Sequence, residues 1–267
     1  MKSVENRYSA KRAIKSLTTM LIRLMCMVGV GVATTQGLMS CAEEENHNGV
    51  VPLKGEVTYD LTYSEELLAQ AGDMGTFLPH SVSGIYDTAN VKLISKAPLG
   101  LASISLTLGC EEDFIAIDLD QAKMLLKPQD LVSEEERNAL TSKMKISVEP
   151  GITEISGFKS RHIVLTPDDT LDTEVVIDLF YAPFSGINIE ESTDYCAFIF
   201  HRDQSSKRHF PGLITAIKTR VEDKEMQIML KSVKDMDSIT AEDFKRPDGY
   251  VETSRDELIA MVDMLII

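Results

Sequence analysis

A hydrophobic period of two residues sets in at Lys54 and recurs almost to the C-terminus, and it is the strongest constraint on how this chain can fold. In "GEVTYDLTY" (55–63), Val57, Tyr59, Leu61 and Tyr63 fall on one side and Glu56, Thr58, Asp60 and Thr62 on the other. Only an extended strand puts alternate residues on one face, so the pattern predicts half-buried antiparallel strands. Ala102, Ile104, Leu106 and Leu108 alternate with Ser103, Ser105 and Thr107 in 101–108. Met144, Ile146 and Val148 alternate with Lys143, Lys145, Ser147 and Glu149 in 143–149. Segments 80–86, 90–96, 113–119, 159–165, 174–181, 213–221 and 225–234 also read as strands, with less clean alternation. Turn formers separate them: Asp87, Asn90, Pro98-Leu99-Gly100, Pro150-Gly151 and Pro167-Asp168-Asp169.

Helical signals are few. "SEELLAQAG" (64–72) has a Ser cap, acids in its first turn and a closing Gly. Residues 133–141 read as a second short helix. At the C-terminus, Ser254 and Glu257 form a capping box, and Leu258, Met261, Val262, Leu265 and Ile266 follow at i, i+3, i+4, i+7 and i+8. That apolar stripe needs a surface, and the sheet of its own domain is the expected one. No repeat, low-complexity run or long linker interrupts 54–267, so this stretch is expected to form one β-rich (α+β) domain. Ten or so strands in one antiparallel sheet must curl, with the helices on the concave side.

The first forty residues follow a different logic. A basic start precedes the apolar run "LMCMVGVGVA" (24–33), and small and polar residues then lead to Cys41. This is the layout of a secretory signal, and the run is about half the ~20 residues a spanning helix needs. Residues 1–40 are therefore expected to be removed, with cleavage between Ser40 and Cys41. The segment Leu38-Met39-Ser40-Cys41 resembles a bacterial lipobox, which implies that Cys41 carries a diacylglycerol thioether and an N-acyl chain such as palmitate. Several acyl chains anchor a protein stably where one does not. Ala42 follows Cys41, and then Glu43, Glu44 and Glu45. That acidic cluster resembles the surface-export signal of Bacteroidota lipoproteins. Residues 41–53 read as an acidic flexible tether. The implied location is the outer membrane, either at the cell surface or on the periplasmic face.

Charge narrows the partners. Six of the 27 Lys/Arg and one of the 42 Asp/Glu lie in residues 1–40, so from Cys41 onward 21 basic residues face 41 acidic ones, a net charge of −20. Such a body repels phosphate backbones and anionic membrane surfaces, which argues against nucleic acid.

Three stretches of the mature chain resemble a known family. They are "GEVTYDLTY" (55–63) with "FLP" (77–79), "EISGFKSRHIVL" (154–165) with its Ile-x-Gly-aromatic-Lys turn, and "FPGLI" (210–214) followed by "DFKRPDGYVE" (243–252). Their order is similar to that of GLPGLI-type and related lipoproteins of Bacteroidota, themselves similar to the half-barrel of the LolA and LolB lipoprotein carriers. His209-Phe210 stands where the family has Gly-Leu, and Ser160 where it has Cys. The resemblance implies a single large curved antiparallel sheet with a few covering helices. Locally, Pro211-Gly212 reads as a turn feeding the strand from Leu213, and Pro247-Asp248-Gly249 as a turn before the last helix.

No catalytic constellation stands out. The mature chain has two further cysteines, Cys110 and Cys196, which an oxidising compartment could bridge or which could remain thiols. Neither lies beside a His in sequence. His201, Asp203 and His209 fall in "HRDQSSKRH", whose spacing matches no zinc pattern and which carries three basic residues. The acidic run 166–172 lacks the Gly and terminal Glu of an EF-hand and reads as a hairpin tip. No catalytic residue, metal ligand or cofactor is therefore expected. The expected function is a lipid-anchored, non-catalytic interaction or accessory protein of an outer-membrane complex. A carrier that holds a lipid or other apolar ligand in the concave face is the alternative, and a hydrolase with a dispersed site the third reading.

Overall fold

The computed structural model describes residues 51, 53–72, 75, 78–87, 90–96, 102–108, 112–119, 122–127, 144–167, 175–183, 212–258 and 260. Their architecture is mainly β. The first six strands are β1 (Gly55–Tyr63), β2 (Ser81–Tyr86), β3 (Val91–Lys96), β4 (Ala102–Leu108), β5 (Phe114–Leu119) and β6 (Ala122–Leu126). Then follow β7 (Met144–Val148), β8 (Thr153–Ile155), β9 (Phe158–Pro167), β10 (Val175–Pro183), β11 (Gly212–Val221), β12 (Lys224–Asp235) and the two-residue β13 (Val251–Glu252). All belong to one sheet in the order β13-β6-β5-β4-β3-β2-β1-β12-β11-β10-β9-β7, with β8 hairpinned onto β9. Every pairing is antiparallel except β13 on β6. The chain makes two meanders, β1–β6 and β7–β12, which meet at mid-sheet through β1 and β12.

The period-two pattern is the inside-outside pattern of this sheet. Val57, Tyr59 and Leu61 of β1 are buried, and the residues between them are not. One inner row runs Ile163, Leu179, Ile217, Ile228, Leu61 across β9, β10, β11, β12 and β1. A second runs Val57, Gly84, Leu93, Leu106, Ile115, Leu126 from β1 to β6. Apart from Gly84, these residues join a single apolar core on the inner face.

Helix α1 (Glu65–Ala71) covers part of that face with Leu67 and Ala71. Ser64 caps it twice over: its hydroxyl accepts from Leu67 N–H and from Glu225 N–H of β12, which ties the helix start to the sheet. Gly72 ends it at φ +56°, a conformation a glycine adopts without cost. The capping box at Ser254 and Glu257 is present, and the helix starts at Arg255. Leu258 is buried in the inner core, so the helix begins on the expected face. Met261, Val262, Leu265 and Ile266 lie outside the described residues, as does the expected helix 133–141.

The structure adds a second layer on the other face. Residues 236–253 run as a strap across the outer side of β3–β6. Phe114, Ala116 and Leu125 are buried beneath it, with Tyr250 packed against them. The Tyr250 hydroxyl donates to Asp118, Lys123 sits over the Tyr250 ring, and Lys92 donates to the Asp243 carbonyl. The strap corrects one sequence expectation. Thr107, expected on a polar face, is 0% exposed, because its face is covered here. It also explains why β6 shows no alternation: Met124 and Leu126 face the core while Leu125 faces the strap. At the far edge the expectation for Val148 fails the other way. It belongs to the apolar set of β7 yet is 45% exposed, because nothing among the described residues lies beyond that strand.

Candidate functional site

The expected site residues fall mostly outside the described residues. This holds for Ser40, Cys41, Glu43, Glu44 and Glu45, for Cys110 and Cys196, and for His201, Asp203 and His209. Pro211 is outside too, while Gly212 is already the first residue of β11 rather than a turn residue. Among the described residues, no three His, Cys, Asp or Glu side chains come together in a way that could hold a metal ion. No helix there is long and apolar enough to cross a membrane.

Two regions concentrate polar contacts. The first is a split in the middle of the sheet. β11 and β12 pair from Val221↔Lys224 as far as Ala216↔Met229 and then part. Two irregularities mark the same level: β10 skips Thr215 between Phe180 and Tyr181, and β1 skips Lys231 between Thr58 and Tyr59. An extra residue in one strand bends it and releases ladder bonds. Two side-chain hydroxyls reach carbonyls beside the split. Tyr59 donates to the Ile214 carbonyl at 3.1 Å, and Ser156 donates to the Leu230 carbonyl.

Ser156 gets there on a tight turn. Ser156 at φ 51° and Gly157 at φ 81° link β8 to β9, two positive-φ residues between paired Ile155 and Phe158. This is the Ile-x-Gly-aromatic-Lys turn of the sequence. It delivers Phe158 into the core and Ser160 onto Thr215, whose hydroxyls lie 2.7 Å apart and fully buried.

Buried phenols line the inner face nearby. Tyr86 is 0% exposed, and its hydroxyl has no hydrogen-bond partner among the described residues. Burial, followed by the proximity of Tyr59 and Asp235, pushes its pKa far above the usual phenol range. Burial also raises Tyr63, which donates to the Pro79 carbonyl at 2.6 Å. Burial thus keeps both phenols neutral, able to donate a hydrogen bond, as Tyr63 does, but not to act as bases. Thr219, also on the inner face, buries a hydroxyl without a partner among the described residues.

The second region lies on the outer face of β9 and β10. His162 Nε2 is 2.7 Å from Asp178 Oδ1, and the imidazole stacks on Phe180 with centroids 4.2 Å apart. The register makes this possible: His162 lies directly across from Phe180 and diagonally from Asp178. Its contacts are a carboxylate and a ring. The sequence shows His162 inside a strand, but its pairing with Asp178 depends on a register that sequence alone does not reveal.

No family model matches the sequence, and no curated protein matches it. Among solved structures, the chain is similar to the lipoprotein LppX of Mycobacterium tuberculosis, with 11% identity over 71% of this chain and 90% of that one and a TM-score of 0.32. It is similar to LprF from Mycobacterium bovis, with 11% identity over 73% of this chain and 90% of that one and a TM-score of 0.32. It is also similar to an outer membrane lipoprotein-sorting protein domain from Vibrio parahaemolyticus, with 8% identity over 72% of this chain and 89% of that one and a TM-score of 0.31.

Proposed function

We propose that this chain is a lipid-anchored lipoprotein of the outer membrane that acts as a non-catalytic interaction or accessory protein. The observation that supports this most is the filled inner face. Leu230 of β12, Ile163 of β9, Leu179 of β10 and Leu213 of β11 are all almost wholly buried in one continuous core, with α1 and Leu258 over it. A face occupied by its own side chains leaves the outer face and the sheet edges to meet other molecules. The anchor rests on Leu38–Cys41 behind the apolar run, and display at the cell surface on Glu43–Glu45. The GLPGLI-type resemblance would place the source among the Bacteroidota.

A second reading, a carrier for a lipid or other apolar ligand, is favoured by one observation. Tyr86 and Thr219 bury hydroxyls on the inner face without hydrogen-bond partners among the described residues. A buried hydroxyl left unpaired costs free energy, and a polar atom of a ligand, or water, would remove that cost.

Two experiments test the proposal. Cys41→Ala should abolish acyl labelling and release the protein from membranes; retained labelling would remove the anchor from the account. A fluorescent fatty acid titrated against the full chain should show no saturable binding if the core is closed. Saturable binding lost in Tyr86→Phe would favour the carrier.

A further inference from the structure

The two edges of the sheet are finished differently. β13 lies on β6, and Thr253 N–H donates to the Leu125 carbonyl, so that edge is paired. β7 ends the sheet on the other side, with no strand beyond it among the described residues. Glu149 N–H donates to the His162 carbonyl, so Lys145, Ser147 and Glu149 turn their backbone groups toward β9. Ile146 and Val148 therefore turn theirs outward. An open edge of this kind is a template for another strand.

We infer that β7 pairs with β7 of a second copy of this chain, antiparallel about a two-fold axis through Ser147. The strand is self-complementary in that register. Ile146 meets Val148 of the other copy and Val148 meets its Ile146, the residues whose backbone groups face outward, which gives four hydrogen bonds. Lys145 meets Glu149, so opposite charges face each other twice across the axis. Ser147 meets Ser147 in a non-hydrogen-bonded pair, where Cα atoms come within about 4.5 Å. Lys145, Ser147 and Val148 are all exposed in the single chain, and so is Ile152 just beyond. Pairing would cover the exposed Val148. An isologous contact closes on itself and yields a dimer, not a filament. It does not depend on whether the inner face is closed or holds a ligand.

The test uses the full chain in its own membrane. Ser147→Cys places two thiols within disulfide reach across the axis. Mild oxidation should then give a disulfide-linked homodimer on a non-reducing gel that the unsubstituted chain does not give. Lys145→Glu should reduce that cross-link about tenfold by placing like charges opposite each other. Adding Glu149→Lys should restore it, because the swapped pairs are again opposite in charge. Val148→Pro removes an outward N–H that β9 does not use, and should lower the cross-link while leaving the far-UV circular dichroism of the purified chain unchanged. Absence of a homodimer, an adduct with a different protein, or a charge swap that fails to restore the cross-link would overturn the inference.

Discussion

The outer face of the β3–β6 half and that of the β9–β10 half are built on the same alternation but finished differently. Over β4, β5 and β6 the strap makes a second core, with Phe114 1% exposed and Thr107 buried beside it. Over β9 and β10 the corresponding surface carries His162, Asp178 and Phe180 in a partly buried polar and aromatic cluster. A sheet covered on both sides loses its alternation, and a sheet covered on one side keeps it. That is why β9 contrasts buried Ile163 and Leu165 with partly buried His162 and Val164, whereas "FIAI" in β5 is buried throughout.

The largest test of this contrast compares two phenylalanines on the same side of the sheet. Phe114→Ala should cost about 3–5 kcal/mol of unfolding free energy in a denaturant titration, since it empties a closed space under the strap. Phe180→Ala should cost about 1 kcal/mol, mostly its stack on His162. Equal costs would mean that the strap does not make a second core. Next in size is Gly84, in the inner row between Val57 and Leu93. A Cβ there would lie 2.5 Å from Leu93 Cδ2 and 2.7 Å from the Lys92 carbonyl. Gly84→Ala should therefore cost about 1–3 kcal/mol by overpacking, against a few tenths for Gly249→Ala if space alone mattered. Gly249 has open space around it but sits at φ +79°, so its cost reports backbone strain and not crowding.

The split between β11 and β12 gives a smaller effect. Tyr59→Phe and Ser156→Ala each remove a hydroxyl from a strand carbonyl, and each should cost about 1–2 kcal/mol. Faster amide exchange confined to residues around 214 and 230 would locate the loss at the split.

The smallest effect is a pH dependence of the strap and the helix start. Hydrogen bonds from Ser254, first its backbone N–H, hold Glu257 below the ordinary glutamate value of 4.5. The hydrogen bond and charge of Arg246 do the same for Glu252. Both carboxylates thus contribute stability above about pH 4.5 that is lost as pH falls through their lowered values. Protection of the amides around 251–258, measured against their intrinsic exchange rates at each pH, should fall below about pH 4.5 while protection in β1 and β12 does not. Glu257→Gln should flatten that dependence.

Much of the fold was legible because alternation reports faces directly. Strands β1, β4 and β7 follow from clean alternation, β2, β3, β5 and β9–β12 from less clean patterns bounded by turn formers, and α1 and the C-terminal helix start from their Ser caps. The strands that carry no such pattern lack it for physical reasons. β8 and β13 are too short to show a period, and β6 is buried on both faces. The polar contacts were hidden for a different reason. Tyr59 and Ile214 are 155 residues apart in sequence, and they meet only because two bulges bring β11 away from β12 at one level. The Ile-Ser-Gly-Phe-Lys turn was visible in the sequence, but the carbonyl that its serine reaches was not.

A closed inner face separates an accessory protein from a carrier, and native mass spectrometry of the full chain, extracted gently from its own membrane, tests it directly. The predicted spectrum contains the chain with its covalent acyl anchor, as a dimer or with protein partners, and no further lipid in fixed ratio. One non-covalent lipid retained per chain would contradict the closed core and move the function to ligand carriage.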